Sequence, residues 1–191
     1  PYRPKRRTRA TIAKEKGLEP LANIILLQMT DKPLEQEAQA FLDPEKEVTT
    51  VEDAIAGAMD IIAENISDEA DYRKYIRETT MKTGKIVSVA KDPEAESVYE
   101  MYYEFEEGLA KLAGHRILAL NRGEAEKVLT VKIEAPTEQI QQYLEKQIIL
   151  RENPNTTPVL KATVEDSYKR LIAPAIEREI RNELTERCLL Y

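Results

Sequence analysis

The sequence predicts a mainly α protein: an irregular multi-helix domain carrying one small two-stranded β-ribbon and ending in a long, kinked C-terminal helix. Three observations carry this. Ala, Leu, Glu, Lys and Arg dominate the 191 residues, and only 6 are Gly, a helix-favouring composition. Apolar residues recur at helical spacing along most of the chain. The period switches to alternation in only two places, 85–91 and 128–135, enough for a ribbon that must rest on helices to be stable.

The elements follow in order. Residues 1–9 read as a basic extended segment, because Pro4 disfavours helix before it and neighbouring like charges repel. A short helix is expected over 10–16, closed by Gly17. Pro20 suits the first turn of a helix through "EPLANIILLQM", which Asp31-Lys32-Pro33 ends. A further helix, "PLEQEAQAFL", stops before Asp43-Pro44. Thr50 is placed to cap a helix whose stripe runs Val51, Ala54, Ile55, Ala58, Ile62 and Ile66 to about Asn65. Ser67 is expected to cap the next helix, and Gly84 to close it. "KIVSVAK" is the first strand.

Helix is expected from 95 to 107 and again from 109 to a cap at Gly123, followed by the second strand, "KVLTVKIEAP". Thr137 starts a helix to about Leu150, and "RENPNTTP" reads as a loop. From 158 to 191 one long helix carries Leu160, Val164, Tyr168, Ile172, Ile176, Ile180, Leu184 and Cys188 in a seam, with Pro174 expected to kink it. The domain reading is therefore a basic segment over 1–9, a helical domain over 10–150, and the long helix over 158–191.

Charge and composition exclude much. The net charge is −7, and residues 3–9 alone hold five cations, so the rest of the chain is strongly acidic. Such a body does not attract a phosphate backbone through its net charge. A local patch must do so, and Arg3, Lys5, Arg6, Arg7 and Arg9 are the candidate nucleic-acid contacts. Residues 43–107 hold 18 acids against 7 bases, a ready internal counter-surface to which the same run could instead be tied. Arg116 and Arg122 are second candidates, because planar guanidinium groups suit phosphate, with intradomain ion pairs as the alternative. One cysteine permits no internal disulfide. No apolar run is long enough to span a membrane, and the basic start leads into no signal-peptide core.

Catalytic motifs are absent. There is no GxGxxG and no GxxxxGK[ST], and one histidine cannot build HExxH or paired Glu-x-x-His sites. Cys188 sits on the apolar seam, where inert packing is preferred to pairing with His115 as a nucleophile. His115 has no evident partner for general-base work. Glu100, Glu104 and Glu107 would share a helix face, either as a hard-cation site or as a solvated acidic surface, and the second is preferred. The residues thus nominate no enzyme, no cofactor, no metal and no small-molecule substrate.

Three stretches together resemble the Tex family of bacterial transcription accessory proteins: "YRPKRRTRATIAKEKGLEPLA" (2–22), "GAMDIIAENISDEADYRKYIR" (57–77) and "HRILALNRGEAEKVLTVKI" (115–133). The likeness extends through "SYKRLIAPAIEREIRNELTER" (167–187). It implies a cytoplasmic, multidomain, mostly helical parent related to a eukaryotic elongation and histone-chaperone factor. It further implies a YqgF module of RNase-H-like fold, helix-hairpin-helix elements, and a C-terminal S1 domain as the main nucleic-acid binder. This chain resembles the helical region ahead of YqgF, so the expected role is a non-enzymatic scaffold segment of a nucleic-acid-binding parent that works with the transcription machinery. The alternative is a protein-docking module, with the 158–190 seam or the acidic face meeting other domains or polymerase. The end, "CLLY", is more apolar than that family region leads one to expect.

Overall fold

The structure, a computed structural model, describes residues 7–189. The chain forms two compact units, one from the residues up to Tyr72 with Gln141–Ile172, the other from Arg73–Ile140 with the residues from Ala173 onward. The mainly α expectation holds, with a small antiparallel sheet and a long helical C-terminal stretch.

The first unit is built on α4 (Val51–Asp68), onto which α1 (Arg9–Glu15), α2 (Glu19–Leu27), α3 (Leu34–Gln39) and α8 (Thr157–Asp166) pack. Local chemistry sets the ends of these helices. Thr8 accepts from the Thr11 amide at 3.1 Å and Thr50 from the Asp53 amide at 3.1 Å, so both caps satisfy orphan helix donors. Gly17 takes φ +79°, closing α1 where a side chain would be strained. Gly57 lets Leu18 press onto α4: a Cβ there would lie 2.3 Å from Leu18 Cδ1. Leu18, Leu21, Ile25, Ile61, Ile62, Leu144 and Leu160 are fully buried, each worth about 1.5–3 kcal/mol of transfer free energy.

Helix α2 ends earlier than expected. Gln28 adopts a left-handed conformation (φ 56°) because its buried side chain is engaged. Its amide nitrogen donates to the Ile148 carbonyl at 2.7 Å, and its side-chain oxygen accepts from the Leu150 amide at 3.0 Å. Asn153 reciprocates, donating to the Gln28 and Thr30 carbonyls at 3.1 and 3.0 Å. This amide pair satisfies the backbone of the "RENPNTTP" turn where it is buried. Ser67 does not cap a new helix. It lies inside α4, buried, and donates to the Glu64 carbonyl at 2.8 Å, so the break falls at Glu69 instead.

The second unit is organised by β1 (Lys85–Ala90), the middle strand of the order β2-β1-β3. Both expected strands form, and β1 pairs antiparallel with β3 (Leu129–Glu134), with Ser88 opposite Val131. A third strand, β2 (Glu104–Gly108), completes the other edge, with Ser88 opposite Phe105. The helix expected over 95–107 is thereby corrected: it becomes turns, one 3-10 turn at Glu100–Tyr102, and β2. The hydrogen-bonding capacity of β1 outweighs the weak helical pattern there, and the buried Ser88 hydroxyl fixes the approach by donating to the Tyr102 carbonyl at 2.6 Å.

Helix α6 (Gly114–Ala125) carries Gly123 inside it rather than past its end, because a Cβ there would meet Leu129 Cδ1 at 2.4 Å. Helices α5 (Ala70–Thr83) and α7 (Thr137–Ile148) follow the expected pattern. The C-terminal stretch is α8, a π-helical turn at Ser167–Ile172, and α9 (Ala173–Leu189). The π turn ends two residues before Pro174, whose ring would clash with the carbonyl of Arg170 in a regular helix. The apolar seam is consumed by packing: Leu160, Val164, Tyr168 and Ile172 are buried in the first unit, Ile176, Ile180 and Leu184 in the second.

Gly84 joins α5 to β1 under tight backbone constraint. A Cβ would approach the Thr80 carbonyl oxygen to 2.5 Å and the Glu134 carbonyl oxygen to 3.1 Å. Gly84→Ala is therefore expected to lower stability by about 1–3 kcal/mol in urea unfolding, since neither obstacle is a flexible side chain. A variant as stable as the parent would show that the α5–β1 junction is not this tight.

Candidate nucleic-acid interface

Of the basic run, Arg3, Lys5 and Arg6 lie outside the described residues. Arg7 forms an ion pair with Glu15 in the last turn of α1, and both side chains are more than half exposed. Arg9 opens α1 and lines a shallow cavity of about 310 Å³ with Lys16, Glu47, Asp53 and Asp60. The described part of the run thus turns towards the protein's own acids.

Asp60 is the centre of that acidic surface. Burial pushes its carboxyl above the ordinary 3.8, and the charges of Arg170 and Arg9, which pull it down, do not cancel this; Asp166 adds to the rise. Arg170 stands 3.8 Å from Asp60 but gives its best bonds to Asp166, with Nη2 at 2.9 Å and Nε at 3.1 Å. Asp60 is therefore a half-buried carboxylate with a distracted partner.

In the second unit Arg116 is engaged twice. Its Nη1 donates to Glu107 Oε2 at 3.0 Å, and its guanidinium lies 5.4 Å from the Phe105 ring centroid. Arg122 is exposed in the last turn of α6, where a cation suits the helix dipole, and makes no ion pair among the described residues. Arg7 and Arg9 belong to one unit, Arg116 and Arg122 to the other. The acidic trio dissolves: Glu100 sits in the 3-10 turn, while Glu104 and Glu107 lie on β2 with side chains on opposite faces.

One cationic position escapes sequence reasoning. Along α9 and α6 a polar cleft of about 590 Å³ is lined by Asn121, Glu124, Arg178, Arg181, Asn182 and Thr185, among others. Arg181 is committed, donating to Glu124 at 2.7 Å and Asn121 at 3.0 Å, and Asn121 donates onward to Thr185 at 2.9 Å. Arg178 is exposed and makes no ion pair among the described residues. Its only sequence signal is "REIRN", which gives two arginines three apart with acids on either side.

His115 and Cys188 line one largely apolar cavity of about 500 Å³ with Leu109, Leu112 and Leu184. The thiol donates to the Gly114 carbonyl at 3.4 Å. No group of three or more His, Cys, Asp or Glu side chains that could hold a metal ion is gathered among the described residues. No helix among them is long and apolar enough to cross a membrane.

The sequence is similar to those of known proteins. Residues 29–189 match the family model described as Tex central region-like. The chain is 55% identical, over 98% of its length, to the uncharacterized protein YdcI of Bacillus subtilis (strain 168), and covers 26% of that protein. It is 31% identical over 97% of its length to the transcriptional accessory protein Tex of Neisseria gonorrhoeae, covering 25% of it. It is 30% identical over 93% to the human S1 RNA-binding domain-containing protein 1, covering 19%. The chain spans about a quarter or less of each.

Two measurements test these environments. Arg116→Ala is expected to cost about 1–2 kcal/mol in urea unfolding, through loss of its carboxylate bond and ring contact. Arg7→Ala, at an exposed pair, should cost under about 0.5 kcal/mol. Equal losses would contradict the assignment. For Asp60, the folded state holds the proton more tightly than the unfolded chain, so its contribution to stability is largest in acid. That contribution is lost as pH rises from about 3.8 through the raised folded value. Asp60→Asn should flatten this limb of the stability–pH curve, and an unchanged limb would place the effect elsewhere.

Proposed function

The chain belongs to the Tex family, by its central region, and from that premise we propose that it is a non-enzymatic helical scaffold segment of a cytoplasmic, nucleic-acid-binding transcription accessory protein. The carrying observation is the match of residues 29–189 to that region, in a chain whose recognisable apolar faces are taken up by its own two cores. The names of relatives support the parent's role: one is a transcriptional accessory protein and another is named for an S1 RNA-binding domain. The larger part of such a parent lies outside this chain, and its main nucleic-acid contacts are assigned there.

The segment's own contribution to nucleic-acid binding is auxiliary. Arg7 and Arg116 are bonded to carboxylates, so Arg9, Arg122 and Arg178, with Arg3, Lys5 and Arg6 outside the described residues, are the proposed contacts to a phosphate backbone. Such contacts are electrostatic and steeply salt-dependent. Chemistry on the nucleic acid is not part of this reading.

A titration of the chain with single-stranded RNA and with duplex DNA tests this at low and moderate salt. Weak binding is expected at low salt and loss at moderate salt. Replacing Arg3, Lys5 and Arg6 with Ala should reduce the salt slope by about one per phosphate contact removed. Arg116→Ala should leave binding unchanged. No binding at low salt would sink the auxiliary role.

A further inference from the structure

The two edges of the small sheet are treated differently. In β1–β2 pairing Lys85 stands opposite Gly108 and Val89 opposite Glu104. The Ala90 amide donates to the Tyr103 carbonyl and the Leu109 amide to the Gly84 carbonyl, so the odd-numbered residues of β2 direct their backbone groups to β1. By antiparallel alternation the N–H and C=O groups of Glu104, Glu106 and Gly108 point outward. The backbone groups of Glu104 and Glu106 and the Gly108 amide make no loop, cap or side-chain hydrogen bond among the described residues, while the Gly108 carbonyl opens the 3-10 turn Leu109–Lys111. At the opposite edge, the outward amide of Ile133 is capped by Glu177 Oε1 at 3.0 Å. The face of β2 that carries Glu104 and Glu106 is open at its end: a Cβ built on Gly108 meets nothing within 4 Å.

The side chains beside that edge carry one sign. Residues 92–107 hold seven acids and no Lys or Arg. Glu104 and Glu106 are exposed and share one face of β2, about 7 Å apart along the strand. Glu104 makes no ion pair among the described residues, and Glu106 makes one exposed pair, with Lys85 at 2.8 Å. A carboxylate has acceptor capacity for a further donor. Glu107, on the other face, is occupied by Arg116.

We propose that the outer edge of β2 is a docking site for an extended, basic segment of a partner protein, which joins the sheet as a fourth strand. Backbone groups of the incoming segment pair with Glu104, Glu106 and Gly108, while Lys or Arg at alternate positions face the two carboxylates. Main-chain pairing supplies register and the charge pattern supplies selectivity. A nucleic acid does not fit this edge, because its phosphates would meet the carboxylates. The site lies wholly within the second unit and does not depend on nucleic-acid binding elsewhere in the chain. The competing account is that the glutamates only keep an open edge from self-pairing.

The test uses the 191-residue chain and two short capped peptides of equal composition, one with Lys and Thr alternating, one with the Lys residues contiguous. Amide exchange and peptide fluorescence anisotropy are read together. The alternating peptide should bind saturably, more tightly than the contiguous one, and protect the Glu104, Glu106 and Gly108 amides from exchange. Gly108→Pro removes one outward donor, and its φ of −62° is already that of proline, so the fold should persist while peptide binding is lost. Glu104→Gln with Glu106→Gln should weaken binding and remove its salt dependence, and serves equally if the proline variant fails to fold. Absence of saturable binding overturns the proposal. So does binding without protection of the three amides, or equal binding of both peptides.

Discussion

The apolar face of α4 is the constraint on which the first unit depends. Helices α1, α2, α3 and α8 all pack against it, and none of the short ones has enough residues to be stable alone. Their helicity is therefore a tertiary property, conferred by burial against Ala54, Ala58, Ile61 and Ile62. The small residues on that face matter as much as the large ones. Gly57 and Ala58 let neighbouring chains approach closely, so α1 and the Leu18 side chain sit where a bulkier residue would exclude them. Strand β1 has the corresponding role in the second unit, since both its edges are paired and its buried Ser88 ties down the segment leading into β2.

The polar chemistry follows the same pattern of internal satisfaction. Cations that a chain of this charge could turn outward are largely returned to its own acids: Arg7 to Glu15, Arg116 to Glu107, Arg170 to Asp166, Arg181 to Glu124. Arg9, Arg122, Arg151 and Arg178 make no ion pair among the described residues, and they are spread over both units. Negative charge, by contrast, is left over along 92–107, beside an unpaired strand edge. An acidic body with several of its arginines bonded to its own carboxylates is less suited to gripping phosphate than to meeting basic protein.

Much of the fold is legible in the sequence. Thr50, Gly17 and Pro20 stand where local rules put them, and both alternating segments are strands; the cap at Thr8 is an addition that the structure makes. The failures have particular causes. Ser67 reads as a cap because its side chain is of the right type, yet it is buried and bonds back along α4. Gly123 reads as a helix end, yet its smallness serves contact with Leu129. The 95–107 segment reads as helix because its glutamates recur at helical spacing, whereas its aromatics and the free edge of β1 make it a strand. Of the candidate cations, Arg116 stands out in the sequence, but only its neighbours Glu107 and Phe105 show that it is engaged. Arg178 is invisible there because its setting is made by α6 and α9, distant in sequence.

By itself the sequence determined the helical character, the positions of the two alternating strands, the acidic surplus and the family, because propensity, periodicity, charge and motif are local properties of a chain. Tertiary structure alone decided which cations are neutralised, which edge of the sheet is capped, and that residues 104–108 are a strand at all. Each of these depends on a partner far away in sequence. Whether a backbone amide or a guanidinium is satisfied is settled by what folding brings within about 3 Å of it, and spacing along the chain does not contain that distance.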